Sequence, residues 1–312
     1  IIVILCTVAV PMIYNLEATI LRSVGDSKTP LYFLIFASIM NIILDWVFMK
    51  NLDMGVTGAA VATVVSQLTA SLLCLIVIKK NFPVLHITKS DFARDKKLTS
   101  DMLSAGMTMA TMNSIFSIGS IIMQGAINAL GETIIAAHLA SRKLAEMFMQ
   151  PLVTVGLACS TFVSQNFGAK KYNRISKAIR YSLIYCAVWS VISFFILWFL
   201  GAKATVLITG TGNAEVVRNT AMYLRINAPF YFVLGILFVL RFSIQSINRK
   251  IPPLISSAME LGTKIAAAFV FIPMWKYTGA CIAEPLSWCM GAIYLSVVFA
   301  SEMKKINQKS KA

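Results

Sequence analysis

The sequence predicts an all-α, polytopic membrane protein, and three observations carry that reading. Of the 312 residues, 58% are hydrophobic and 13% charged, against about 45–50% and about 25% in soluble domains. Mean hydropathy is +0.76, too apolar for a disordered chain, because so much burial offsets the entropy of ordering. The apolar residues fall in long runs that occupy every helical face rather than one stripe, as helices immersed in lipid require. Ile1 already lies inside such a run, with no Met and no basic leader region before it. The chain is therefore read as the later part of a longer sequence.

A membrane helix needs about 20 predominantly apolar residues to cross about 30 Å of hydrocarbon. That rule predicts nine transmembrane helices, at 2–24, 30–49, 56–78, 102–130, 133–163, 175–200, 216–246, 252–275 and 279–301. The first ends in a basic turn, the second opens on Pro30, and the third opens on the small residues Gly58, Ala59, Ala60 and Ala62. The fourth follows a long basic segment, and the fifth contains Pro151. The sixth follows a run of Lys and Arg, and the last three carry Pro229, Pro273 and Pro285. Spans above 25 residues imply tilt or ends that project past the headgroups. With Pro11, these prolines each remove a backbone bond, and the sequence leaves open whether the kinks are hinges or static bends.

The net charge of +15 sorts by connection. One alternate set of connections holds 19 of the 28 Lys and Arg: Arg22 and Lys28; Lys79, Lys80, Lys89, Arg94, Lys96 and Lys97; Lys170, Lys171, Arg174, Lys177 and Arg180; Arg249 and Lys250; Lys304, Lys305, Lys309 and Lys311. The other set holds only Lys50, Lys203, Arg218 and Lys276. The positive-inside rule places the rich set, and with it the C-terminus, in the cytoplasm. Anionic inner-leaflet lipid is the partner this charge suits; the alternation leaves nothing for nucleic-acid binding to explain. Cys6, Cys74, Cys159, Cys186, Cys281 and Cys289 all lie in spans without a CxxC pair, so they are read as small apolar packing residues.

An internal repeat organises the spans. Ser23 to Leu31 aligns with Ser246 to Leu254 at an offset of 223, and Thr57-Gly58-Ala59, Ala62 and Ser66 meet Thr278-Gly279-Ala280, Ala283 and Ser287 at 221. Helices one to three thus resemble helices seven to nine. If helices four to nine form a complete six-helix C-lobe, helices one to three are the second half of an N-lobe whose first three helices are missing. The division expected is 1–80 for that half lobe, 81–101 for a cytoplasmic connection, 102–301 for the C-lobe and 302–312 for a basic tail.

Several motifs carry a resemblance to a known family. Leu21 to Leu31 (LRSVGDSKTPL), Asn41 to Asp45 (NIILD) and Met54 to Thr63 (MGVTGAAVAT) look like the fourth to sixth helices of MATE (multidrug and toxic compound extrusion) transporters. Ser160 to Ala169 (STFVSQNFGA), with Gln150-Pro151 before it, resembles that family's eighth-helix exit. The resemblance covers the whole chain, read as helices four to twelve of twelve. It implies two six-helix lobes and export of cationic lipophilic compounds against inward Na+ or H+ flow. The expected protein is a secondary antiporter of the plasma membrane with no cofactor beyond that ion; the sequence leaves its oligomeric state open, with a monomer expected.

The residues themselves point to an ion site. Asn41 and Asp45 stand i, i+4 and share one helix face; Asp45 lies inside an apolar span, where a carboxylate costs a few kcal/mol and is functional by default. Thr63 lies one turn beyond Ala59. Carboxylate, amide oxygen, hydroxyl and a backbone carbonyl form an oxygen set for a hard cation, and a carboxylate out of water can equally take up and release a proton. The resemblance carries Asn41, Asp45, Thr63 and the Ala59 carbonyl over to the family's N-lobe cation site, with Asn15 at a polar position nearby; the family's partner Asp on its first helix lies outside this sequence. A competing reading has Asp45 reaching for the interface beside Trp46 and Lys50. In the other copy Asn41 maps onto Lys264 and Asp45 onto Ala268, so the carboxylate is not repeated.

There, Glu260 and Lys264 stand in order for an ion pair, as do Arg142 and Glu146, and Glu284 precedes Pro285. Glu146, Glu260, Tyr223 and Tyr231 are candidates for a substrate cleft, since a cationic ligand wants buried acids and aromatic faces. Two other classes compete. A flippase for lipid-linked precursors shares the helix plan but calls for more intramembrane Arg. A membrane enzyme is disfavoured, since there is no HExxH or DDxxD motif and His86 and His138 lack metal-ligand spacing.

Overall fold

The computed structural model describes residues 7–86, 95–210 and 212–309, and every regular element among them is helical. In chain order these are α1 Ala9–Ser23, α2 Lys28–Trp46 running into a π turn Val47–Asn51, and α3 Gly55–Asn81. Then come α4 Lys96–Asn128, α5 Glu132–Gly168, α6 Tyr172–Thr209 and α7 Ala214–Asn227. A 3-10 turn Ala228–Phe230 leads into α8 Tyr231–Ser246. Next, α9 Ile251–Ala266 runs into a second π turn, Ala267–Phe271, and α10 Ile272–Trp275, before α11 Tyr277–Lys309.

Eight stretches among the described residues are long and apolar enough to cross a membrane, from Lys28–Asn51 to Tyr277–Lys305. The first predicted span, 2–24, is represented by α1; residues 1–6 of the chain, with Cys6, lie outside the described residues, as do Lys89, Arg94 and Lys311. Helix ends differ from those predicted: 175–200 becomes Tyr172–Thr209, longer at both ends, and 102–130 becomes Lys96–Asn128, starting earlier and ending two residues sooner. Apolarity marks only the lipid-facing middle, while hydrogen bonding carries the helix into polar sequence at either end. Two predicted single helices are broken. Pro229 sits in the 3-10 turn between α7 and α8, and Pro273 follows the π turn after α9, as expected where proline deletes a rung of the ladder.

The chain divides into two compact units, 1–95 and 96–312. In the first, α1 and α2 both pack on α3, around Tyr14, Ala18, Leu21, Ala37, Ala70 and Cys74. The Tyr14 hydroxyl donates to the Pro30 carbonyl at 3.1 Å. In the second, α5 packs on α6, α7 and α8, while α9 packs on α4 and α11. Its core is built on Leu152, Leu197, Tyr231, Leu237 and Leu295. Outward faces are apolar: Ile42 and Phe199 are each 69% exposed, suiting lipid rather than water. Serine and threonine hydroxyls along these helices donate to carbonyls one turn back, as Thr154 does to Gln150 at 2.9 Å and Ser296 to Ala292 at 2.7 Å. This hides polar groups from hydrocarbon.

The repeat read from the sequence is realised in the backbone. Gly25 has φ 98° and Asn248, 223 residues later, φ 62°. Around each, the same two bonds close the preceding helix: Gly25 N–H to the Arg22 carbonyl and Asp26 N–H to Leu21, then Asn248 N–H to Gln245 and Arg249 N–H to Ile244. Asp53 and Lys276, again 223 apart, share φ near 50°. The second helix of each copy ends in a five-residue π turn. A glycine packs against each turn: a Cβ on Gly58 would lie 3.1 Å from the Phe48 carbonyl carbon, and one on Gly279 would lie 2.3 Å from the Phe271 oxygen. That close approach is what the repeated Thr-Gly-Ala provides.

Candidate functional site

In the first unit, α2 and α3 bring together three of the five residues assigned to the ion site. Asn41 Nδ2 donates to Thr63 Oγ1 at 3.5 Å, and the Thr63 hydroxyl donates to the Ala59 carbonyl at 3.0 Å. Asp45, one turn along from Asn41, is half-buried, and its Oδ1 is inaccessible to solvent and has no hydrogen-bond partner. Lys50 lies over the Trp46 ring, 5.2 Å from its centroid, and no ion pair joins it to Asp45 among the described residues. Such an orphaned carboxylate oxygen is costly unless something binds it. A small hard cation or a proton is the kind of partner such an oxygen takes, and Asn41 stands one turn away on the same helix. Asn15 is exposed, its side chain has no described contact with this group, and its carbonyl accepts from Thr19 at 2.7 Å.

Another acid in this unit was not singled out from the sequence. Glu17 on α1 is 5% exposed, with the Ser71 side chain of α3 beside its carboxylate. The signal was available, since Glu17 interrupts the first apolar span just as Asp45 interrupts the second.

In the second unit, charged side chains from four helices converge on a cavity of about 680 Å³. Arg142 and Glu146 of α5 pair at 3.2 Å, and Arg142 also reaches Glu284 of α11 at 3.3 Å. Lys264 of α9 approaches the same Glu284 oxygen at 3.4 Å and lies 4.3 Å from the centroid of the Phe116 ring. Glu260, expected to pair with Lys264 four residues on, instead takes Arg241 of α8, with the Ser256 hydroxyl on the same oxygen. The i, i+4 pairing fails because buried partners on neighbouring helices offer better geometry than two side chains standing along one helix. The Arg142–Glu146 pair, by contrast, stands.

The cavity is also lined by Tyr223, Trp288 and Phe242. Tyr231, the other aromatic assigned to the cleft, is fully buried in the core against Trp288, with ring centroids 6.1 Å apart, and does not line it. His138 is buried between Tyr223 and Tyr277, and the His86 ring donates through Nε2 to the Lys79 carbonyl at 2.7 Å. No cluster of three metal-ligating side chains occurs among the described residues.

Comparison with known proteins shows what the chain is similar to. The family model described as MatE matches residues 108–270. "Probable multidrug resistance protein YoeA" of Bacillus subtilis (strain 168) is 30% identical over 175 residues, covering 54% of this chain and 38% of that protein. YpnP of the same organism, also described as a probable multidrug resistance protein, is 27% identical over 228 residues, covering 73% of this chain and 50% of that one. An outward-facing structure of a multidrug resistance MATE family transporter of the MOP superfamily superposes with a TM-score of 0.91 at 19% identity, covering 97% of this chain and 68% of that one. The chain thus spans half or less of the length of these two curated relatives.

Proposed function

Since the chain belongs to the MatE family, whose members are multi-pass membrane transporters rather than enzymes, we propose that it acts in an ion-coupled antiporter that exports small amphiphilic compounds. The carrying observation is the unpartnered Asp45 oxygen, one helical turn along α2 from Asn41, which is itself hydrogen-bonded to Thr63 and through it to the Ala59 carbonyl. A Na+ ion or proton entering that group supplies the missing partner and favours one arrangement of the transporter. Substrate binding favours the other, each ligand acting only through its differential affinity for the two. The unit of residues 1–95 serves as the second half of an N-lobe and residues 96–312 as the C-lobe with its tail. The basic connections face the cytoplasm at the plasma membrane, against anionic lipid.

Substrate occupies the second unit's cavity, between Tyr223 and Trp288 and the apolar faces of α4 and α8. Cationic lipophilic compounds find counter-charge there on Glu146, whose side chain is 60% exposed. Export from liposomes tests the coupling. Asp45→Asn in the full-length protein abolishes efflux driven by an imposed Na+ or H+ gradient; undiminished gradient-driven efflux would refute the assignment.

One observation favours a second reading, the lipid-precursor flippase: Arg142, Arg241 and Lys264 all line the cavity. Competition of a lipid-linked pyrophosphate with dye export separates the two.

A further inference from the structure

We propose that a groove on the outer side of the second unit, between α6, α8 and α11, binds one anionic phospholipid of the cytoplasmic leaflet, with its phosphate at Arg180 and an acyl chain along the apolar wall. The groove shares no lining residue with the cavity described above. The choice of leaflet rests on the reading that the basic connections face the cytoplasm.

The depth of one charge comes first. α6 runs from Tyr172 to Thr209, about 57 Å at about 1.5 Å per residue, so its ends overshoot about 30 Å of hydrocarbon. From Tyr181 to Ala202 it carries no charged residue, and Arg180 and Lys203 bound that run. The run is about 33 Å long, close to one hydrocarbon thickness, which sets Arg180 at headgroup level. Along it Tyr185, Val188, Phe195 and Phe199 are exposed, as on a helix that faces lipid.

Shape agrees with that depth. α6 and α11 both pack on α8, and between them runs a groove of about 400 Å³. Ser176 and Arg180 line its polar end, while Leu183, Ile184 and Ala187 continue the same stripe of α6. Phe232 of α8 and Phe299 of α11 complete the wall. Arg180 to Ala187 is about 10 Å along the helix, against about 15 Å for one leaflet of hydrocarbon. A cation and a hydroxyl at headgroup level, with carbon below them, match a phosphate above its acyl chain.

The charge is also uncommitted. Arg180 is exposed and makes no ion pair among the described residues. No Asp or Glu occurs from Met147 to Ala214, so α6 supplies none. Glu302, one turn beyond Phe299, is already held by Arg249 and Lys305. Lys177, one turn before Arg180, adds to the positive end. A guanidinium suits a phosphate through two parallel hydrogen bonds, and basic residues at a membrane surface attract anionic lipid. General attraction would spread over the whole basic cluster, whereas a groove beside one arginine selects by headgroup and by chain together.

The test strips the full-length protein of lipid and offers equimolar phosphatidylglycerol and phosphatidylcholine with identical chains, read by native mass spectrometry. The wild type retains one phosphatidylglycerol at least fivefold over phosphatidylcholine. Arg180→Gln abolishes that preference, and Lys203→Gln, at the far end of the same helix, leaves it intact. Ala187→Phe, which fills the groove without altering charge, lowers phosphatidylglycerol retention at least fivefold. Melting midpoints at the wild-type value show that the variants are folded. Equal retention of both lipids by the wild type, or an unchanged preference in Arg180→Gln, would overturn the site. So would a second copy of the chain retained in place of lipid. A separate measurement addresses the leaflet. Asn173→Cys, at the Arg180 end of α6, should resist a membrane-impermeant maleimide until the cells are opened. Labelling in intact cells would overturn the cytoplasmic orientation and the leaflet assigned here, whatever the lipid preference shows.

Discussion

Replacing Glu284 by glutamine keeps the size and shape of the side chain and removes the charge on which two cations depend. Arg142 retains Glu146 at 3.2 Å, so its loss is partial. Lys264 has no other ion-pair partner among the described residues, and its side chain is 3% exposed. Stranding a buried charge in this way costs about 3–5 kcal/mol, a fall in melting temperature on the order of 10 °C for a chain of this size. Loss of helical circular dichroism on heating, in detergent micelles, measures it. The second substitution makes the reasoning exacting. Glu284→Gln with Lys264→Met removes the stranded charge along with its partner and should recover most of the loss, because an apolar pair of similar volume is about as stable as a buried ion pair. A single variant within about 1 kcal/mol of wild type would refute the reasoning, as would a double variant whose loss equals the sum of the two singles.

Gly279→Val places a Cβ 2.3 Å from the Phe271 carbonyl oxygen and 2.5 Å from its carbon, forcing α11 off the π turn at a cost of about 1–3 kcal/mol. Gly262→Ala on α9, where a Cβ meets nothing within 4 Å, should be neutral or slightly stabilising in the same melting assay. Asp26→Ala removes the carboxylate oxygen that accepts the Lys28 and Thr29 N–H groups at 3.1 and 3.0 Å, worth about 1 kcal/mol at the start of α2. Hydrogen bonds from Thr29 hold the Asp26 carboxyl below its usual range. Its contribution is therefore complete above the ordinary Asp value and fades as pH falls through the lowered one. Melting curves of wild type and variant should differ at neutral pH and converge in acid.

Local chemistry explains what could be read without coordinates. The turn from Ser23 to Pro30 and its copy from Ser246 to Pro253 were legible because φ above zero at Gly25 and Asn248 restricts which residues can stand there. The two copies then stabilise the turn differently. Asp26 caps α2 through its side chain, whereas Arg249 pairs with Glu302 at 2.9 Å, so sequence identity stays thin while backbone geometry persists. Asn41, Thr63 and Ala59 were legible because i, i+4 spacing and the small-residue opening of α3 define one face each, and α2 packs directly on α3.

Partnership across helices was not legible. Glu260 has a lysine four residues on along its own helix, yet its partner Arg241 comes from α8, 19 positions earlier. No spacing rule within a helix reveals which neighbour supplies a buried charge. The π turns Val47–Asn51 and Ala267–Phe271 were equally hidden. Gly58 and Gly279 pack against them at backbone contact, a fit that belongs to the packed pair rather than to either segment.

The account turns on Asp45 as the group that holds the coupling ion. Equilibrium binding of radioactive sodium to the purified full-length protein, with proton release recorded in the same titration, measures that directly. The wild type should take up an ion, or give up a proton, in a step that Asp45→Asn lacks while remaining folded. An Asp45→Asn protein that binds and releases ions with wild-type stoichiometry and affinity would contradict the claim.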